Sequence, residues 1–163
     1  MCLWNWKHNM SQDPALENET IELLTFKLGD QEYSLDIMCV REIRSWTKAT
    51  PLPHAPSFMH GVINLRGTVL PVMDLAKRLC LPPRQKSDRN VIVVVKNGDT
   101  MTGLLVDAVS DIVALKCGDL QPPPETGSQG VPAVIKSLTL IEDRMIRVLD
   151  LHNVVSFAKK EAA

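Results

Sequence analysis

Aromatic surface and net charge, two common means of recognition, are both scarce in this sequence. Phe, Trp and Tyr make up 4% of 163 residues, and 18 basic residues stand against 19 acidic ones for a formal net charge of -1. Nucleic acid and anionic membranes select dense Lys/Arg patches, so this balance argues against either as the main partner. Long apolar runs are missing too. The longest aliphatic stretch, Val91 to Val95, falls far short of the roughly 20 residues that a membrane-spanning helix needs, so no direct membrane insertion is expected. The first nine residues, MCLWNWKHN, lack the apolar core and small-residue cleavage site of a secretory signal. Cys2, Cys39, Cys80 and Cys117 form no CxxC pair, which suits a reducing cytoplasm and small buried hydrophobes better than a disulfide framework.

Catalytic signatures are equally scarce. The sequence contains no GxSxG elbow, no GxGxxG or GxxxxGK[ST] phosphate loop and no HExxH. His54 and His60 flank a proline-rich stretch without the two further donors a metal site needs nearby. Asp74, Asp107 and Asp150 read as structural, two of them as helix caps. No cofactor or metal is therefore expected.

What is present, at 45% apolar and 23% charged, is one ordinary soluble domain rich in short strands. Residues 1–20 are polar and acidic toward their end and are expected to be a mobile tail. From there Leu24, Phe26 and Leu28 alternate with Thr25 and Lys27, and Tyr33, Leu35 and Ile37 with Glu32, Ser34 and Asp36. Two half-buried strands around Gly29-Asp30 make a hairpin. Residues 39–46 (CVREIRSW) fit a short helix or a strand equally, with Val40, Ile43 and Trp46 read first as core and alternatively as an apolar patch beside Arg41, Glu42 and Arg44. Residues 49–56, with three prolines, form an extended connector. A second hairpin turns at Arg66-Gly67, and Asp74 caps a short helix from Leu75. Residues 81–89 read as a linker. A third hairpin carries a type I′ signal in Lys96-Asn97-Gly98-Asp99, residues 121–132 form a loop, and a fourth turns at Glu142-Asp143 before a short helix capped by Asp150.

These segments repeat. A shift of 69 carries FKLGD (26–30) onto VKNGD (95–99), and Val40, Glu42 and Ile43 onto Val109, Asp111 and Ile112. A shift of 76 carries LPVMDL (70–75) onto IRVLDL (146–151) and sets the turn at Arg66-Gly67 against the turn at Glu142-Asp143. Two matches in one order point to duplication, with two similar all-β halves of four or five short strands each, a length that suits small barrels. Arg66 is the residue folding explains least. A hairpin tip needs its glycine but not a guanidinium, and the repeat puts an acid, Glu142, in the same place. A rigid turn presents the Arg donor fork ready for a partner's carboxylate or carbonyls.

GVINLRGTVLPVMDL (61–75), preceded by CVREI (39–43) and followed by GLLVDAVSDIV (103–113) and VLDL (148–151), resembles the CheW family of chemotaxis coupling proteins over residues 21–157. The resemblance implies a mainly β fold of two five-stranded, SH3-like barrels around a shared core, taken here as about residues 21–80 and 90–150, with a C-terminal helix at about 150–157. It further implies a non-enzymatic cytoplasmic adaptor that joins the tips of chemoreceptors to the regulatory domain of the histidine kinase CheA at receptor arrays. Carried over by position, Val40, Glu42, Gly61, Asn64, Arg66 and Gly67 become partner-binding candidates, with an Arg66–Glu42 ion pair shaping the interface. Val109 and Asp111 are weaker candidates, because core packing also explains them.

Two other readings compete. The kinase's own regulatory domain and an adaptor fused to a phospho-acceptor domain share the pattern, but no receiver or ATP site fits in the remaining residues. A small-ligand-binding or hydrolytic β-protein would use the cleft between the halves, and would need a pocket of convergent polar groups.

Overall fold

The computed structural model describes residues 18–82, 89–122 and 134–155. Almost all of the expected tail, most of the 81–89 linker, most of the 121–132 loop and the end of the C-terminal helix lie outside the described residues. Within them run β1 (Thr20–Leu28), β2 (Gln31–Asp36), β3 (Val40–Ser45), β4 (Met59–Leu65), β5 (Thr68–Asp74), β6 (Val91–Asn97), β7 (Thr100–Val106), β8 (Ala108–Lys116), β9 (Ile135–Ile141) and β10 (Arg144–Leu149). Helix α1 (Leu75–Arg78) follows β5 and helix α2 covers residues 151–155. Both start at the expected aspartates: Asp74 Oδ1 accepts from Lys77 N–H, and Asp150 Oδ1 from Asn153 N–H, each at 3.3 Å.

The four expected hairpins form around two-residue turns, closed by the pairs Leu28–Gln31, Leu65–Thr68, Asn97–Thr100 and Ile141–Arg144. At the second and fourth, both central residues are left-handed, with φ 52° and 85° at Arg66 and Gly67, and 49° and 65° at Glu142 and Asp143. That is the type I′ pattern, whose twist matches the flanking strands. The third hairpin departs from expectation. Its ladder runs through Asn97, so the turn is Gly98-Asp99 with positive φ only at Gly98 (61°), as in a type II′ turn. Glycine at the first central position makes a second left-handed residue unnecessary.

Residues 39–46, open between helix and strand, resolve into a 3-10 turn over Ile37–Cys39 followed by β3. Along β3 the half-buried residues are Val40, Glu42 and Arg44, while Ile43 is 47% exposed. The core reading of Ile43 is thus corrected, because the strand's period of two points it outward. The cysteines also need correction: Cys39 is buried, but Cys80 is exposed and Cys117 half-buried.

The repeat holds in three dimensions, β1–β5 corresponding to β6–β10. One sheet has the order β8-β1-β2-β10-β9 and the other β3-β6-β7-β5-β4. We call them barrel 1 and barrel 2. Each has one parallel pair, β2 with β10 and β5 with β7, in otherwise antiparallel ladders. The strands do not divide into contiguous barrels of residues 21–80 and 90–150. The last three strands of each half cross over: β3, β4 and β5 complete a sheet with β6 and β7, and β8, β9 and β10 complete one with β1 and β2. Neither half can then complete a barrel alone, so the duplication is locked together by hydrogen bonds as well as by packing.

Among the described residues, a two-bond bridge joins the edges of each barrel. Thr50, beyond β3, exchanges bonds of 2.8 and 2.9 Å with Val62, and Gln121, beyond β8, exchanges two of 2.8 Å with Leu138. The shared core between barrels includes Leu24, Phe26, Leu35, Met73, Val93 and Leu104. Phe26 is fully buried and stacks on Tyr33 with ring centroids 6.4 Å apart, and burying an aliphatic or aromatic side chain of this size is worth about 1.5–3 kcal/mol. Barrel 2 encloses its own aliphatic cluster of Ile63, Leu65, Leu70, Val72, Ile92 and Val94. The simple alternation read for β1 fails at Leu23 and Thr25, both 0% exposed, because a closed barrel buries the second face as well.

Candidate functional site

The residues that carry the resemblance meet at the rim of barrel 2. β3 and β4 are opposite edges of one sheet, and closure brings them side by side. Glu42 on β3 and Arg44, two residues on, point the same way by strand periodicity, and Arg66 is delivered by the β4–β5 turn. Arg66 Nη2 lies 3.1 Å from Glu42 Oε2, and Arg44 Nη1 lies 3.1 Å from Glu42 Oε1. One carboxylate therefore holds two guanidinium groups. The Glu42 side chain is 22% exposed whereas that of Arg66 is 77% exposed, so the acid is the fixed anchor and Arg66 presents its remaining donors outward. The pairing of Arg66 with Glu42 agrees with the expectation. Arg44 was missed, although its i, i+2 spacing from Glu42 on a strand was a readable signal.

Asn64 and Gly67 serve the turn itself. Asn64 Oδ1 accepts from Gly67 N–H at 2.9 Å, which ties the tip back onto β4 and fixes where Arg66 points. A side chain on Gly67 would meet no atom within 4 Å, but its φ of 85° favours glycine. Gly61 has a different task. Its φ is 145°, and a Cβ there would sit 2.5 Å from the Thr50 carbonyl oxygen. Gly61 is buried and permits barrel closure, so its contribution to the rim is indirect.

Val40 is half-buried against the shared core, and so is Val109. Asp111 is exposed, yet its carboxylate and backbone are both engaged: Thr25 Oγ1 donates to Oδ1 at 2.5 Å and accepts from Asp111 N–H at 3.1 Å. The structure thus brings Glu42, Asn64, Arg66 and Gly67 together, with Gly61 beneath them. Val109 and Asp111 instead belong to β8 in barrel 1. Asp107 is structural, accepting from Gly29 N–H at 2.8 Å.

Exposed apolar residues accompany these features at repeat-related places: Ile43 (47%) with Ile112 (57%), and Val69 (69%) with Met145 (52%). Leu140 (62%) lies directly across the ladder from Met145. Among the described residues no three of His, Cys, Asp and Glu gather closely enough to hold a metal ion.

The family model for the CheW-like domain matches residues 22–159. The chain is 45% identical over 148 residues to the chemotaxis protein CheW of Rhizobium meliloti (strain 1021), covering 91% of this chain and 96% of that protein. It is 32% identical over 143 residues to the chemotaxis protein CheW of Klebsiella aerogenes, covering 86% of each. The crystal structure of the scaffolding protein TtCheW from Thermoanaerobacter tengcongensis superposes with a TM-score of 0.77 at 32% identity, covering 83% of this chain and 92% of that one. With the crossed-over double barrel, the LRG hairpin and matches along nearly the whole chain in agreement, this chain belongs to the CheW family.

Proposed function

We propose that this protein is a non-enzymatic chemotaxis scaffold that couples the cytoplasmic tips of chemoreceptors to the regulatory domain of the histidine kinase CheA. It works in the cytoplasm, at receptor arrays on the inner face of the membrane. The observation that carries the reading is the Arg44–Glu42–Arg66 arrangement, in which a half-buried carboxylate directs an exposed guanidinium outward. A preorganised guanidinium suits a protein partner that offers a carboxylate or free carbonyls. Relatives named as chemotaxis CheW proteins and a structural neighbour titled a scaffolding protein support the same reading. Each contact is modest, so an array would gain its strength from many linked contacts.

The test is titration of the protein and its Arg66→Glu variant against a chemoreceptor cytoplasmic fragment and against the kinase regulatory domain. The reversed charge faces Glu42 and should weaken at least one of the two complexes by roughly tenfold or more, with circular dichroism unchanged. Equal affinities of variant and parent for both partners would overturn the proposal.

A further inference from the structure

The two barrels share one plan but are closed differently. At the barrel 2 seam the Thr50–Val62 bridge is reinforced by the Arg66–Glu42 pair spanning the same gap. At the barrel 1 seam the described residues add to the Gln121–Leu138 bridge a bond from Thr139 Oγ1 to the Asp119 carbonyl at 3.3 Å, and the charge of Lys136 on β9 acts on Cys117 in the facing turn. The repeat places Glu142 where barrel 2 has Arg66, and Asp111 where it has Glu42. Neither position holds a cation, so the equivalent pair forms no clamp, and the Asp111 carboxylate is taken by Thr25 Oγ1.

The interiors differ in the same direction. Thr25, Ser34, Ser137 and Thr139 are at most 4% exposed and stand where barrel 2 has Val94, Gly103, Gly61 and Ile63. Ser34 Oγ donates to the Arg147 carbonyl at 3.3 Å, but Ser137 Oγ is buried with no partner; barrel 2 carries fewer such groups, Thr102 on β7 and the unpartnered Trp46 Nε1 against its cluster. Among the described residues barrel 1's own buried apolar cluster is Leu23, Leu120 and Val148, against eight buried residues in barrel 2. Hydroxyls add little net stability when paired and cost stability when not, so barrel 1 is held by less.

We propose that barrel 1 is the deformable half of the molecule: its seam, between the 3-10 turn Cys117–Asp119 and β9, opens in a local excursion that barrel 2 does not make. Opening uncovers Leu120 and the small cluster it plugs. A partner that grips the β9–β10 hairpin then chooses between an open and a closed barrel, which gives a scaffold a conformational response without chemistry.

Amide hydrogen exchange on the full chain tests this. The Gln121 and Leu138 amides, each bonded across the barrel 1 seam, should exchange about tenfold or more faster than those of Thr50 and Val62. Glu142→Arg, which restores a cation opposite Asp111, should slow Gln121 and Leu138 severalfold and leave Thr50 and Val62 unchanged. Ser137→Ala, which removes the unpaired hydroxyl, should act in the same direction. Equal protection at the two seams, or variants that slow both seams alike or neither, would overturn the proposal.

Discussion

Arg66 and Glu42 sit on opposite edges of the same five-stranded sheet and nevertheless meet at 3.1 Å. Their contact is a consequence of barrel closure, and it turns a hairpin tip into a directed guanidinium. Its worth to stability is small, about 0.2–1 kcal/mol for a pair this exposed. Its value is orientation.

That distinction makes Arg66→Gly informative. The residue occupies φ 52°, where glycine relieves about 1 kcal/mol of left-handed strain, offsetting the lost ion pair. The variant should melt within a few degrees of the parent or slightly above it, by calorimetry. Its affinity for the partner that contacts the rim should fall by roughly tenfold. A large loss of Tm would show that the arginine holds the fold.

Gly61→Ala should be far more damaging. A methyl group 2.5 Å from the Thr50 carbonyl oxygen at φ 145° must push the barrel 2 bridge apart. We expect a loss of about 3 kcal/mol or more, read from urea unfolding, with Thr50 and Val62 amides losing protection first. A loss below about 1 kcal/mol would contradict this account of closure.

Arg78 is buried and holds α2 in place. Its Nε and Nη2 donate to the carbonyls of Val154 and Asn153 at 3.1 and 3.0 Å, and its guanidinium lies 5.7 Å from the Phe58 ring centroid. Burial pushes its pKa down from the usual arginine range, and an arginine still stays charged at neutral pH. Arg78→Ala leaves the helix-end carbonyls without these donors and should cost about 2–4 kcal/mol. Arg78→Lys should recover only part of that, because one ammonium cannot reproduce the fork. Chemical unfolding of the two variants checks the order.

The Cys117 thiol is pushed above its ordinary value of 9.0, first by burial and then by nearby Glu19. With the folded value the higher one, its contribution to stability is complete below about pH 9 and is lost as pH rises through the folded value. As pH rises above about 9 the parent should therefore lose more stability than Cys117→Ala. Identical pH profiles for the two would refute this. Alkylation at pH 8 should also reach exposed Cys80 before Cys117.

Much of this protein is legible in order along the chain. Period-two alternation and turn residues gave the four hairpins, Asp74 and Asp150 announced their caps, and two shifted matches revealed the duplication, since these signals act between residues close in sequence. Where local signals tie, as in residues 39–46, or where a face is buried by strands from the other half, as at Leu23 and Thr25, local reading cannot decide. The site divides in the same way. Arg66 stood out in the sequence because a turn does not need a guanidinium, but Arg44's role and the outward face of Ile43 depend on which edge β3 meets. Strands, turns and their twofold repetition follow from residues close together in the chain. That β3–β5 and β8–β10 exchange between the halves, and hence which charges meet across each seam, follows from the folded molecule alone, because pairing between distant strands is set by barrel closure and shared burial, which no short window of sequence contains.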